Sequence, residues 1–153
     1  MEMTARGLPN EVSGTMVDAG GVPAELQKTD DAESLIIYFH GGGYIGGSIA
    51  SHRNLTGNLA LQSRCRVLSV EYRLAPEHPH PAAVEDAVTS YQWALTQGYE
   101  PHNIALAGDS AGGDDVSDSM IFRACQNFAP VFSSRARKTL LLLNSRRLDF
   151  EGE

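Results

Sequence analysis

Ser110 stands at the centre of Gly108-Asp109-Ser110-Ala111-Gly112, a Gly-x-Ser-x-Gly spacing. Glycines on either side of a serine permit a tight turn from strand to helix that lifts the hydroxyl clear of its surroundings. Such a hydroxyl becomes a useful nucleophile once a neighbouring base takes its proton. Well upstream, His40-Gly41-Gly42-Gly43 supplies the complementary chemistry. Backbone amides without a Cβ in the way can approach an oxygen as negative charge develops on it, and each such donor is worth about 10²–10³ in rate. Ala111, next after the nucleophile, would add a further amide. The five histidines, His40, His52, His78, His80 and His102, all precede Ser110.

Two strands must deliver these loops, and the apolar pattern provides them. Ile104 to Ala107 runs into the serine turn, and Leu35 to Phe39 runs into the glycine segment as a near-continuous apolar stretch suited to burial on both faces. Val67 to Val70 repeats that signature. Val12 to Val17 and Val22 to Gln27 flank Gly20-Gly21 and read as a hairpin. Between the strands lie helical patterns. Ser51 is placed to cap the first, with Leu55, Leu59 and Gln62 on one stripe. The second starts near Pro81, repeats Val84, Val88, Tyr91 and Leu95, and ends at Gly98. A third is expected after Ser110 through Val116, Met120, Ile121, Ala124 and Phe128, closed by Pro130, with a last strand over Thr139 to Leu143. This alternation predicts an α/β fold with a mostly parallel sheet.

A chain of 153 residues suits one domain with a real core. Its net charge of −7, without a basic cluster, argues against nucleic acid and anionic membranes as partners, but acidity alone names no substrate. Leu140 to Leu143, the longest purely aliphatic run, is far too short to span a bilayer. Met1 to Arg6 has no apolar core of secretory type, and Cys65 and Cys125 lack metal-ligand spacing. A cytoplasmic setting with reduced thiols is expected, and no cofactor or metal is called for.

One competing pattern overlaps the glycine run. Gly41-x-Gly43-x-x-Gly46 matches the dinucleotide-binding spacing, with Glu71 about where a ribose-binding acid would lie. That reading requires a helix opening directly from the tight turn, whereas the helical pattern starts only near Ser51.

With the motifs in place, the chain resembles the hormone-sensitive-lipase-like esterases, the bacterial family IV carboxylesterases. His40 to Tyr44 matches the family's HGGG segment and Gly108 to Gly113 its GDSAGG box. Tyr72-Arg73-Leu74-Ala75-Pro76-Glu77-His78-Pro79 matches the YRLAPEHP signature between them. The resemblance implies a three-layer α/β-hydrolase sandwich that acts on small carboxylic esters or lactones. Ser110 would be the acylated nucleophile, and the amides of Gly42, Gly43 and Ala111 the oxyanion hole. His40, Asp109, Arg73 and Glu77 would be structural supports, the last three as buried polar groups bracing the loops around the serine.

The likeness is close over residues 12–113 and diverges over 114–138, where Asp114-Asp115-Val116-Ser117-Asp118 is unusually acidic and a locally altered reading frame would account for the change. It partly returns over 139–153, in a sixth strand and the loop after it. Relatives present their triad in the order serine, acid, histidine. No histidine follows Ser110, so the chain reads as a partial domain without its C-terminal strands, acid and base. Two outcomes stay open on this reading: an esterase, or a non-catalytic remnant of the same family. An aliphatic edge at Leu140 to Leu143 would then favour self-association and poor solubility.

Overall fold

A computed structural model of the chain describes residues 7–113. The third helix and the strand expected at Thr139 to Leu143, with the self-association argued from it, lie outside the described residues. So does the 114–153 part of the family comparison.

Five strands form one mixed sheet in the order β1-β2-β4-β3-β5. The hairpin forms as the Gly20-Gly21 turn predicts: β1 (Ser13–Asp18) pairs antiparallel with β2 (Pro23–Lys28). β2 pairs antiparallel with β4 (Arg66–Val70). β3 (Leu35–Phe39) then lies parallel between β4 and β5 (Ile104–Gly108). Every residue of β3 is buried, as its uninterrupted apolar run requires of a central strand covered on both faces.

Helix α1 (Ile49–Ser63) covers one face and α2 (Ala82–Thr96) the other. On the α2 side, Leu35, Ile37 and Phe39 pack with Leu68, Val70 and Leu106 against Val84, Ala87, Tyr91 and Ala94. Tyr91 is inward, as the helical spacing indicates; Val88 and Leu95 pack at the margin. Gly98 closes the helix at φ 89°, where a side chain would be strained.

The first helix departs from expectation. Its cap is Ser48, whose side chain accepts from the Ser51 amide, while the Ser51 hydroxyl accepts from the Ser48 amide. Ser51 therefore sits three residues inside the helix as the second half of a reciprocal capping pair. Of the stripe of Leu55, Leu59 and Gln62, only Leu59 packs against the core; Leu55 and Gln62 are exposed. The buried residues are Ile49, Thr56, Gly57 and Ala60, while Leu55 is 46% exposed. At Gly57 the helix backbone comes close to the segment before β1: a Cβ there would lie 2.7 Å from Pro9 Cδ and 2.8 Å from Leu8 Cδ2.

Candidate active site

β3 and β5 run parallel and side by side, with Phe39 opposite Gly108, so the loops leaving them emerge together. Ser110 lies just past β5, exposed, at φ 51°. A non-glycine residue in the left-handed region is uncommon and marks a turn held by its surroundings. The helical turn that follows begins at Ala111. The flanking glycines are required by space. A Cβ on Gly108 would overlap the Gly112 backbone, and one on Gly112 would overlap the carbonyls of Phe39 and His40. The serine turn is thus packed directly against the end of β3.

Three side-chain hydrogen bonds tie the serine turn to β3 and the glycine loop. The Gly41 amide and the Tyr38 hydroxyl both donate to Asp109 Oδ1, at 2.9 and 2.7 Å, and the Tyr44 hydroxyl donates to the Ala111 carbonyl at 2.9 Å. Gly42 and Gly43 take φ values of 136° and 65°. The Gly42 carbonyl accepts from the amides of Ile45 and Gly46, closing the loop on itself. Among the described residues, no hydrogen bond occupies the amides of Gly42, Gly43 or Ala111.

The Asp109 carboxyl is pulled both ways. Partial burial raises its pKa, but hydrogen bonds from Tyr38 and Gly41, with His52 nearby, prevail and hold it below the usual carboxylate value. It therefore persists as an acceptor at neutral pH. Tyr38 is displaced upward by burial and by the carboxylate it faces, which keeps its hydroxyl a donor.

His40 is fully buried and stacks on Tyr72, with ring centroids 4.3 Å apart. Its Nδ1 lies 2.9 Å from the Gly41 carbonyl, an acceptor, which assigns the ring proton to that nitrogen. Burial lowers its pKa, so the ring is neutral; it shapes the glycine loop and does not contact Ser110 by a hydrogen bond. Tyr72, the first residue of the YRLAPEHP segment, reinforces the loop by donating its hydroxyl to the His40 carbonyl.

Two of the expected supports are not buried braces of the serine turn. The Arg73 side chain is 42% exposed and binds Asp86 and Glu85 at the start of α2. Its backbone amide donates to Asp86 as well, so this segment is fastened to α2. Glu77 is exposed, as are His78 and His80, because the loop runs over the surface between β4 and α2. Glu71 also has a different task from ribose binding: its carboxylate accepts from the Ile49 amide at 3.0 Å, filling the N-terminus of α1.

His52 is the residue whose place the sequence pattern did not single out. From the first turn of α1 its Nε2 reaches to 3.4 Å from Asp109 Oδ2, and its ring lies 5.5 Å from that of His40. Among the described residues no group of three or more metal-binding side chains assembles, and no helix is long and apolar enough to cross a membrane.

A parallel sheet end that presents a serine at positive φ, clasped to a glycine loop, is an α/β-hydrolase architecture. The sequence pattern of the family described as "alpha/beta hydrolase fold" matches residues 36–142, and the chain belongs to that family. It is 46% identical over 101 residues to an acetyl-hydrolase of Streptomyces hygroscopicus, covering 65% of this chain and 33% of that protein. It is 45% identical over 89 residues to esterase LipI of Mycobacterium tuberculosis, covering 55% and 28%.

Among solved structures, an esterase/lipase from an uncultured bacterium superposes with a TM-score of 0.76 at 39% identity over 83% of this chain and 44% of that one. An esterase of the bacterial hormone-sensitive lipase family gives 0.71 at 40% identity, over 80% and 41%. The chain thus spans about a third or less of these two curated relatives.

Proposed function

We propose that the protein is a serine esterase acting on small carboxylic esters. The observation that carries this reading is Ser110 itself, exposed at φ 51°, beside the amides of Gly42, Gly43 and Ala111, which no hydrogen bond among the described residues occupies. The names of the relatives support the same class. Ser110 Oγ attacks the ester carbonyl carbon, and the amides of Gly42, Gly43 and Ala111 receive the negative charge that forms on the carbonyl oxygen. Collapse of the tetrahedral species breaks the bond to the alkoxy oxygen. The alcohol departs with the proton taken from the serine, leaving an acyl-serine. Water then attacks that acyl group and frees the acid.

The proton needs a carrier. None of the described histidines hydrogen-bonds to Ser110: Nδ1 of His40 is engaged with Gly41, and His52 faces Ser51 and Asp109. This observation favours a second reading, in which the protein keeps the architecture without turnover.

Hydrolysis of p-nitrophenyl butyrate by the purified protein, beside Ser110→Ala, separates the two. Loss of a nucleophile or its base typically removes several orders of magnitude in rate. We expect turnover in the parent protein and background in the variant. Equal background rates in both would establish the non-catalytic reading.

A further inference from the structure

We propose that His52 is a positioning residue for the serine turn: it fixes the free oxygen of Asp109, so that the carboxylate holds Gly41 and Ser110 in register. The proposal rests on the esterase reading of Ser110. Asp109 Oδ1 is already committed to the Tyr38 hydroxyl and the Gly41 amide. That leaves Oδ2, and the side chain facing it is His52, at 3.4 Å. A carboxylate held at one oxygen can still rotate about its Cβ–Cγ bond; one held at both cannot. Asp109 is the residue before Ser110, and its other partner, Gly41, is the residue before Gly42. Its orientation is therefore shared by both halves of the site.

What holds His52 is equally well built. Ser48 and Ser51 fix the first turn of α1 by their reciprocal bonds, and Glu71 secures the Ile49 amide. Ser51 Oγ lies 2.8 Å from His52 Nδ1, and the imidazole leans on the rings of His40 and Tyr38. This arrangement serves either charge state. When the ring is neutral with its proton on Nε2, Nδ1 accepts from the Ser51 hydroxyl. When it is charged, Nδ1 donates instead, and the Ser51 hydroxyl turns to the Ser48 carbonyl 2.9 Å away. Nε2 donates toward Asp109 in both. With both nitrogens so engaged, His52 acts through Asp109 and not as the base for Ser110.

The test uses the whole chain and two readouts. The first is the amide resonance of Gly41, followed by ¹⁵N NMR in a Ser110→Ala background, which requires no esterase activity. The second is the rate at which diethyl p-nitrophenyl phosphate labels Ser110, followed by intact mass. His52→Leu is expected to shift or broaden the Gly41 resonance and slow labelling about tenfold. His52→Gln, which keeps an N–H near the place of Nε2, is expected to restore the resonance and most of the rate. A merely structural role would make the two variants alike, and that result overturns the proposal. So would a Gly41 resonance indifferent to His52→Leu, even if the parent protein turns over esters. A responsive Gly41 in a protein without turnover sustains the positioning role and sinks the esterase reading alone. Should His52→Leu not fold, His52→Gln and Ser51→Ala decide: near-parental labelling in the first with slower labelling in the second sustains the proposal, and the reverse order overturns it.

Discussion

On the α2 face the strands bury Leu35, Ile37, Phe39, Leu68, Val70 and Leu106, all apolar, whereas on the α1 face they bury Glu25, Gln27, Ser69, Tyr38 and His40 beside a handful of apolar residues. The register makes the second arrangement a row: Glu25 stands opposite Ser69, Ser69 opposite Tyr38, and Tyr38 reaches Asp109. Burying apolar area is the main favourable term in folding, and it does not depend on direction. Hydrogen bonds contribute less net free energy but fix orientation. One face supplies cohesion and the other supplies aim, and the aimed face is the one under the serine turn. Its cost is visible in Gln27 Oε1 and Ser69 Oγ, buried without hydrogen-bond partners among the described residues.

Breaking the cohesive face should have the largest effect on stability. Phe39 is fully buried in the α2-side core, so Phe39→Ala should cost about 3–5 kcal/mol in urea unfolding. A loss below about 1 kcal/mol would show that this face collapses around cavities and is less well packed than its composition indicates.

The aimed face should respond through its ion pair. Glu25 is buried and takes a bifurcated hydrogen bond from the single N–H of Arg53 Nε, 3.1 Å from each carboxylate oxygen, another from Arg53 Nη2 and one from Gln27 at 2.9 Å. Removing the cation leaves a buried carboxylate short of partners. Arg53→Met should cost about 2 kcal/mol, below the roughly 3–5 of a fully enclosed pair because 43% of the Arg53 side chain is in water. Glu25→Leu should cost less, since the freed guanidinium can turn to solvent. Equal costs for the two would mean that burial of Glu25 does not control the pair.

A gentler lever is acid. Burial lowers the pKa of His40 in the folded protein, so the unfolded chain takes up a proton first as pH falls through the ordinary imidazole value of about 6.5. Stability from this source is complete above that value and declines below it until the folded pKa is reached. Asp109 acts in a separate window: its depressed pKa adds stability that persists above the ordinary carboxylate value of about 3.9 and disappears as pH falls through the lower folded value. His40→Asn should therefore flatten the decline in urea midpoint between about pH 7 and 5 while leaving the steeper loss below pH 4. An unchanged slope above pH 5 would locate the proton uptake elsewhere.

The two faces also differ in how far they could be read in advance. Strands β3, β4 and β5 and helix α2 follow from their apolar periodicity, because continuous burial or a regular stripe leaves a direct mark on residue type. The serine turn and glycine loop follow from steric demands that glycine alone meets. The α1 face leaves no such mark. Ser51, His52, Tyr38 and Glu71 are ordinary surface or strand residues by type, and only the packing of α1 against β2 and β4 brings His52 to Asp109. Arg73 and Glu77 carried a motif but not an address: the first turns to α2 and the second to solvent.

Leu55 gives the smallest and most discriminating test of that difference. A stripe of Leu55, Leu59 and Gln62 would make it a core residue, and Leu55→Ser would then cost about 2–4 kcal/mol, as large-to-small core changes do. The helix instead buries Ile49, Thr56, Gly57 and Ala60, and its backbone approaches Leu8 and Pro9 closely at Gly57. With 46% of Leu55 exposed, Leu55→Ser should change unfolding free energy by no more than about 0.5 kcal/mol. Gly57→Ala is the complement. A methyl group 2.7 Å from Pro9 Cδ must push that segment aside, so a change that ordinarily favours a helix by about 1 kcal/mol should here destabilise. If Leu55→Ser were costly and Gly57→Ala stabilising, α1 would be rotated on the sheet, and His52 would no longer face Asp109.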